Sequence, residues 1–206
     1  MTRLGILLSG RGSNFMAIAN NIANGWLAAE IAVVIGNRED AGGVSLAQER
    51  GLKARVLPSK GRKRLEHDRA VVEALREAEV DLVVLAGYLR LLSPWFAQQF
   101  PGRILNIHPS LLPAFPGLDA QRQALEYGVQ VSGCTVHFVD EHLDHGAIIL
   151  QKAVPVLPSD DEHSLSERIL VQEHRAYSEA IALVASGQYR IEGRRVLPYV
   201  PPNARE

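Results

Sequence analysis

The sequence predicts one α/β domain built on a doubly wound, mostly parallel sheet with helices on both faces. The chain has 206 residues and is 47% hydrophobic, which suffices for one substantial core. Short apolar runs alternate with longer amphipathic stretches, as strands and crossover helices do. The first five runs contain Val, Ile and Leu without polar alternation, which is expected where helices cover both faces of a sheet.

Seven apolar runs are predicted strands. They are Leu4–Leu8, Ile31–Ile35, Ala54–Leu57, Leu82–Ala86, Ile104–Ile107, Gly133–Val139 and Ile148–Val154. A small terminal hairpin is expected over Tyr189–Leu197, and the proline-containing end at 201–206 is expected to form a flexible tail.

The first and fourth gaps between the strands hold helices with recognisable start signals. Ser13 or Asn14 is expected to cap a helix that ends near Asn24 and is closed by Gly25. The Ser93-Pro94 pair places a cap and a first-turn proline before a short helix that ends near residue 100.

Two longer amphipathic segments, Arg62–Ala78 and Ser164–Ala185, are the main helix candidates. The second begins at Ser164 and Glu167, which have the spacing of a capping box, and it ends at Gly187.

Composition excludes several functional classes. Lys and Arg number 22 against 23 Asp and Glu, so the chain has no global basic field to hold a long nucleic acid. The first apolar run is too short for a signal peptide core, and no later segment approaches 18 uninterrupted apolar residues. Cys134 is the only cysteine, so an intrachain disulfide is impossible. We therefore expect a cytoplasmic protein with no membrane or nucleic-acid partner.

A glycine-rich run, Ser9–Asn14, follows the first predicted strand. Glycines there allow backbone N–H groups to converge on an anion at the start of a helix. Phe15 replaces the third glycine of a dinucleotide fingerprint, and no Lys-Ser or Lys-Thr pair follows Gly12, so NAD and ATP are poorly supported. The run predicts a site for a single phosphate; the alternative is that the glycines only shape the turn.

The most informative polar side chains follow the fifth predicted strand. Asn106 and His108 occupy alternate positions, so both should project to one side at the carboxyl end of the strand. Pro109 and Pro113 restrict the turn that follows. An amide and an imidazole both donate hydrogen bonds to a tetrahedral oxyanion, which indicates acyl transfer. The alternative is that Asn106 caps a turn and His108 is a structural histidine.

Asp144 lies in the polar stretch Asp140–Ala147, between two late strands. Its carboxylate could approach His108 and favour the charged imidazole, although a solvated acidic turn is the alternative. The chain lacks a Gly-x-Ser-x-Gly elbow, and Cys134 lies inside an apolar strand. The attacking group is therefore expected to come from the substrate.

A zinc site is the other use of this region that we considered, because His137, His142, Asp144 and His145 all lie in it. Their spacing matches no established site such as His-Glu-x-x-His, and the single cysteine has no cysteine partner. We therefore expect no metal. The basic run Lys60–Arg64 predicts a solvated helix start that could assist anion capture.

Five motifs together resemble the glycinamide ribonucleotide formyltransferase family, with similarity from about residue 4 to 187. They are Ser-Gly-x-Gly-Ser-Asn at 9–14, Leu-Ala-Gly-Tyr-x-Arg at 85–90, Asn-Ile-His-Pro-Ser-Leu-Leu-Pro at 106–113, Gln-Ala-Leu at 123–125 and Leu-Asp-x-Gly at 143–146. Asp119 stands where family members commonly have His, and Ala147 replaces a frequent proline. The first departure puts any substrate contact at position 119 in doubt.

The resemblance implies transfer of a formyl group from 10-formyltetrahydrofolate to the amine of glycinamide ribonucleotide, by a monomer or homodimer. The implied catalytic residues are Asn106, His108 and Asp144. The implied contacts to the ribonucleotide phosphate and ribose are Gly12, Ser13, Asn14 and Glu173. The implied folate contacts are Arg90, Leu92, Asp140, Glu141, His142, Leu143 and Asp144. Within a single domain at 1–200, residues 1–100 would bind the phosphate, residues 101–187 would bind folate and carry the chemistry, and 188–200 would form the hairpin.

Two other functions stay open from the sequence. A formyltetrahydrofolate deformylase resembles the same family and would use water as its nucleophile. A nucleotide-binding module without chemistry would use the polar residues only for packing. A methionyl-tRNA formyltransferase is disfavoured, because about 20 residues follow the last predicted helix and cannot supply an RNA-binding domain.

Overall fold

A computed structural model describes residues 1–199, and the predicted tail at 201–206 lies outside the described residues. The strands are β1 (Thr2–Leu8), β2 (Ala29–Gly36), β3 (Ala54–Val56), β4 (Leu82–Leu85), β5 (Ile104–His108), β6 (Val131–Phe138), β7 (Ile148–Pro155), β8 (Tyr189–Glu192) and β9 (Arg195–Pro198). The helices are α1 (Ser13–Ala23), α2 (Gly42–Glu49), α3 (Arg64–Glu77), α4 (Pro94–Gln99), α5 (Ala120–Tyr127) and α6 (Glu162–Ser186).

All of these strands join one sheet in the order β3-β2-β1-β4-β5-β6-β7-β9-β8. The first five strands run parallel to one another. β6 and β7 add antiparallel pairs, and β9 pairs in parallel with β7 while β8 closes an antiparallel hairpin. The predicted mostly parallel sheet is therefore confirmed.

The chain reverses its direction of travel across the sheet at β1. It moves outward from β1 through β2 to β3, and then returns to place β4 on the other side of β1. Ligands of open α/β sheets bind at such a reversal, outside the carboxyl ends of the strands. The glycine-rich run after β1 and the loop after β4 both lie at this edge.

Helices cover both faces of the sheet, as predicted. One buried cluster includes Phe15 and Ile18 of α1 with Tyr177 of α6. A second cluster includes Leu75 of α3 and Phe96 of α4. Each face thus has its own apolar layer, which explains the uninterrupted apolar strands.

The predicted start of α1 is wrong. The cap is Gly12, in the left-handed conformation with φ 79°, and the helix begins at Ser13 without a side-chain cap. Asn14 is the second residue of the helix, not its cap, and its buried side chain donates to Glu173 of α6. The prediction failed because this contact joins residues that are distant in sequence.

The predicted capping box of α6 is also misplaced. Asp161 is the cap, and Ser164 is the third helical residue rather than the first. Asp161 accepts from Ser164 N at 2.8 Å, and Ser164 Oγ accepts from Asp161 N at 3.1 Å. The Ser93 cap is confirmed, since its hydroxyl accepts from Phe96 N at 3.3 Å.

Two short helices, α2 and α5, were not predicted. α2 begins with Gly42 and Gly43, which are poor helix formers. α5 follows Asp119, which is left-handed with φ 57°. The structure also contains, within residues 1–199, no helix that is both long and apolar enough to cross a membrane.

Candidate active site

β5 carries Asn106 and His108 to the carboxyl edge of the sheet. Asn106 pairs with Leu85 of β4 on one side and His137 of β6 on the other. His108 pairs with Thr135 of β6. Because both residues occupy alternate positions of one strand, their side chains lie on the same side of the sheet.

Asp144 approaches His108 from the loop after β6. Its Oδ2 lies 3.4 Å from His108 Nδ1, and the two side chains are 8% and 5% exposed. The same oxygen accepts a 2.8 Å hydrogen bond from Gly117 N. The predicted proximity of Asp144 to His108 is therefore present, and a backbone amide fixes the carboxylate.

The orientation of the His108 ring is set by Phe115. His108 Nε2 lies 2.8 Å from the carbonyl oxygen of Phe115. A carbonyl can only accept a hydrogen bond, so Nε2 carries a proton and donates it. This anchor leaves Nδ1 as the ring nitrogen that faces Asp144. A reacting group at this site would consequently meet Nδ1 rather than Nε2.

The turn after β5 is clamped by polar side chains of β6 and β7. Thr135 Oγ1 donates to Ser110 O at 2.7 Å and accepts from Leu112 N at 3.0 Å. Gln151 Nε2 donates to Leu112 O at 2.9 Å. Sequence reasoning assigned the rigidity of this turn to its prolines and missed Thr135 and Gln151.

His137 is a site residue to which sequence reasoning assigned no role, since it was considered only for a zinc site that was then rejected. Its Nδ1 lies 2.8 Å from Phe138 O, so Nδ1 carries the proton and Nε2 is left as an acceptor. Asn106 Nδ2 donates to this Nε2 at 3.2 Å, and Asp144 Oδ1 lies 3.7 Å from it. Burial lowers the pKa of His137, which favours this neutral form. The neutral ring therefore accepts from the Asn106 amide and makes no hydrogen bond to the Asp144 carboxylate.

The glycine-rich run packs closely against the start of α2. A Cβ on Gly12 would lie 2.8 Å from Gly43 Cα, so neither backbone could stay in place with a larger residue at 12. Gly43 N donates to Gly10 O at 3.0 Å. Because Gly12 caps α1 without a side chain, the amides of the first turn remain available to an anion. Gly43 was not among the predicted site residues.

The predicted ribose contact, Glu173, lies beside the predicted phosphate contact Asn14. Asn14 Nδ2 donates to Glu173 Oε2 at 2.8 Å, and both residues are 8% exposed. Burial raises the pKa of Glu173, although the bond from Asn14 opposes this effect. One helical turn later, Tyr177 donates to the carbonyls of Leu85 and Leu105, so α6 is fixed against β4 and β5.

The loop after β4 carries Arg90 and Leu92. Arg90 donates to the carbonyl oxygens of Ser59 at 3.3 Å and Arg62 at 3.2 Å, so its guanidinium lies beside the basic run at 60–64. Leu92 packs against the second core cluster. The structure therefore joins Arg90 to the basic run, a contact that the sequence did not indicate.

The other predicted folate contacts lie on the loop after β6, and they differ in exposure. Glu141, His142 and Leu143 are exposed, whereas Asp140 and Asp144 are partly buried. Asp140 accepts from His142 N at 2.8 Å. Each of the two carboxylates of this segment thus accepts a backbone hydrogen bond, Asp140 from His142 N and Asp144 from Gly117 N.

Cys134, which the sequence excluded as a nucleophile, and Asp119, which departs from the family pattern, both lie apart from the site. Cys134 is fully buried, and burial raises the pKa of its thiol to about 12, so the thiolate nucleophile is disfavoured. Asp119 forms an exposed ion pair with Arg122 in the first turn of α5. Neither side chain contacts the cluster at Asn106, His108 and Asp144 in any of the described hydrogen bonds or ion pairs.

Comparisons of the sequence and of the fold with known proteins give consistent matches. Residues 2–181 match the formyl transferase family. Phosphoribosylglycinamide formyltransferase of Escherichia coli (strain K12) is 39% identical over 201 residues, which covers 94% of this chain and 95% of that protein. The crystal structure of glycinamide ribonucleotide transformylase 1 from Symbiobacterium toebii is 52% identical with a TM-score of 0.94, and the match covers 97% of this chain and 95% of that one.

Longer and more distant proteins also match. The human trifunctional purine biosynthetic protein adenosine-3 is 46% identical over 190 residues, which is 92% of this chain. The chain spans only 14–19% of the length of animal relatives with that name. A formyltetrahydrofolate deformylase from Pseudomonas syringae pv. tomato has a TM-score of 0.91 at 23% identity, over 97% of this chain and 66% of that one. At this identity the likeness shows the fold alone.

Proposed function

The chain belongs to the formyl transferase family, and we propose that it transfers the formyl group of 10-formyltetrahydrofolate to the amine of glycinamide ribonucleotide in purine biosynthesis. The observation that carries this proposal is the 3.4 Å approach of Asp144 to His108 beside the amide of Asn106. Relatives named phosphoribosylglycinamide formyltransferase over almost their whole length support it.

The ribonucleotide would bind at the glycine-rich run. Its phosphate would accept hydrogen bonds from Gly12, Ser13 and Asn14 at the uncapped start of α1. Its ribose hydroxyls would meet Glu173, whose carboxylate already lies beside Asn14. The hydrogen bonds from Ser9 N to Gly87 O and from Leu89 N to Ser9 Oγ tie this run to the loop after β4. The phosphate and the reacting amine would therefore be held at the same sheet edge.

The folate would lie in a cleft between the loops after β4 and β6. Arg90 and Leu92 would line one wall, and the segment Asp140–Asp144 the other. The pterin would bond largely to backbone groups of this segment. Residues 1–100 would thus hold the phosphate and residues 101–187 the folate and the reacting groups, within one domain at 1–200.

The reaction would proceed by direct attack of the substrate amine on the formyl carbon. A tetrahedral intermediate forms, and the amide of Asn106 with Nδ1 of His108 stabilises its oxyanion. The amine nitrogen loses a proton, and N10 of the folate gains one as the C–N10 bond breaks. Asp144 stabilises the imidazolium of His108 and relays this proton, through water.

The proposed chemistry needs no metal, because the oxyanion donors and the proton relay are side chains of the chain itself. We place the enzyme in the cytoplasm, where its single cysteine would stay reduced. It would act as a monomer or homodimer, with no nucleic-acid or membrane partner.

The deciding experiment measures tetrahydrofolate release from 10-formyltetrahydrofolate, spectrophotometrically, with and without glycinamide ribonucleotide. The proposal expects release only when the ribonucleotide is present, with one formylated ribonucleotide made per folate released. Equal release without the ribonucleotide would instead identify a deformylase that uses water. Calorimetric binding of both ligands without any release would identify a binding module.

A further inference from the structure

Three side chains of the loop after β6 converge on one point outside the proposed catalytic trio. Asp140, His142 and His145 place one ligand atom each within 4.8 Å of one another. His145 Nδ1 lies 3.0 Å from Asp140 Oδ2, and His142 Nδ1 lies 3.9 Å from Asp140 Oδ1. The centroids of the two imidazole rings lie 5.2 Å apart, and the ring planes are tilted by 58° to each other.

The donor set is suited to a transition metal ion rather than to Mg²⁺ or Ca²⁺. Two imidazoles and one carboxylate are ligands that Zn²⁺ and its neighbours accept, whereas hard cations prefer oxygen ligands alone. Zinc ligands lie about 2.0–2.2 Å from the ion, so tetrahedral ligand atoms lie about 3.3 Å apart. The three donors lie within 4.8 Å of one another, so zinc binding would draw them closer together by about 1.5 Å at most.

The backbone of the loop already holds the three donors close together. His142 N donates to Asp140 Oδ1 at 2.8 Å, so Oδ1 keeps an orienting bond while Oδ2, which lies 3.0 Å from His145 Nδ1, would bind the ion in place of that contact. Both ends of the loop are fastened to the sheet, since Phe138 N donates to Ala147 O and Val139 N to Ile104 O, each at 2.9 Å. The loop is therefore partly ordered before an ion binds, so less conformational entropy would be lost on binding.

We propose that Asp140, His142 and His145 form a surface binding site for one zinc ion, with water in the remaining position. The sequence led us to expect no metal, because the spacing of His137, His142, Asp144 and His145 matches no established site, and that group did not include Asp140. The structure separates those groups: His137 and Asp144 face Asn106 and His108, whereas Asp140 faces the two exposed histidines. The zinc site does not depend on the proposed formyl transfer.

The test is a calorimetric titration of the full chain with ZnCl₂, supported by the visible spectrum of the Co²⁺ complex. We expect one equivalent to bind, and intense visible bands from cobalt in a four-coordinate site with nitrogen ligands. His145→Gln should weaken zinc binding by at least ~10-fold, since even an outer-shell change costs a metal site that much. Asp140→Asn and His142→Gln should do the same, and Mg²⁺ should not compete.

His163→Gln is the matched control, because His163 is also an exposed histidine beside a carboxylate, 3.3 Å from Glu167. This variant should still bind one equivalent of zinc with wild-type affinity and should show the same cobalt bands. The altered side chains of the loop are exposed or partly exposed, and a thermal melt of each variant verifies folding. The proposal is overturned if wild type takes up no tight equivalent, or if His145→Gln binds zinc as tightly as wild type.

Discussion

Asn106 donates its side-chain amide to Nε2 of His137 across 3.2 Å, and the backbone bond at Nδ1 of His137 leaves that Nε2 as an acceptor. The amide is therefore oriented by a neighbouring strand before any substrate arrives. Preorganised donors contribute most to oxyanion stabilisation because they need no rearrangement during the reaction.

Replacing His137 with Leu should slow formyl transfer about 10- to 100-fold, because the Asn106 amide loses the acceptor that orients it. If His137 acts only through Asn106, the double variant with Asn106→Ala should be no slower than Asn106→Ala alone. Single-turnover rates of the four enzymes measure this coupling. Fully additive losses would show that His137 acts independently of the amide.

Replacing His108 with Ala should reduce turnover at least ~100-fold while the fold is retained, because a charged oxyanion donor is lost. The affinity for the ribonucleotide should change little, since its phosphate would bind at the start of α1. Steady-state kinetics and calorimetric binding of the ribonucleotide separate the two effects. Near-normal turnover would refute the role assigned to His108.

Replacing Asp144 with Asn removes the negative charge 3.4 Å from His108 while an oxygen remains to accept from Gly117 N. The expected loss of turnover is about 100-fold or more, because both imidazolium stabilisation and proton relay are impaired. The melting temperature should stay close to that of wild type. A variant with wild-type turnover would exclude a charge-based role for Asp144.

The sequence predicted the part of the site that follows from strand periodicity. Asn106 and His108 lie two residues apart at the end of a buried strand, so their shared direction follows from the pleat alone. Neither the Phe115 carbonyl that anchors His108 nor the Gly117 amide that anchors Asp144 could be predicted. Any residue type supplies these backbone groups, and only the path of the turn brings them to the site.

The wrong cap of α1 has a long-range origin, whereas the capping box of α6 is local, since Asp161 and Ser164 lie three positions apart. Ser13 and Asn14 are good capping residues by local chemistry. The side chain of Asn14, however, donates a hydrogen bond to Glu173, which is 159 positions away in the sequence. His137 was left without a role because its contact with Asn106 depends on the register between β5 and β6, which a single sequence does not give. The side-chain partners of Asn14 and His137 therefore depend on contacts between distant strands and helices, which local sequence patterns do not predict.

Replacing Glu173 with Gln should change how stability depends on pH. Burial raises the pKa of Glu173 above its usual value of 4.5, so the folded chain holds this proton more tightly than the unfolded chain. The contribution of Glu173 to the free energy of unfolding is fully present below pH 4.5. It falls as pH rises toward the raised pKa, because Glu173 ionises at lower pH in the unfolded chain than in the folded chain. Each tenfold difference in proton affinity is worth about 1.4 kcal/mol.

The Gln variant cannot ionise, so its free energy of unfolding relative to wild type should increase as pH rises above 4.5. Gln can still accept the bond from Asn14, which makes the comparison nearly isosteric. Urea unfolding at a series of pH values gives both curves. Parallel curves would mean that the pKa of Glu173 does not differ between the folded and unfolded chains.

Replacing Gly146 with Ala should loosen the loop that carries Asp144. A Cβ at Gly146 would collide with the carbonyl oxygen of Phe138, a backbone atom that cannot rotate away. The loop must shift from β6, which should cost about 1–3 kcal/mol of stability or more. Since Asp144 lies two residues away, turnover should also fall.

Gly42→Ala is the matched control, because the nearest atom to a Cβ there is Arg11 Cα at 3.9 Å, an ordinary contact. Its melting temperature should stay near that of wild type, whereas each kcal/mol lost by Gly146→Ala should lower melting by about 2–4 °C in a chain of this size. Calorimetric melts of the two variants make the comparison. Equal melting of both would show that the loop does not need the close approach of residue 146 to β6, and Asp144 would then depend on the Gly117 amide alone for its position.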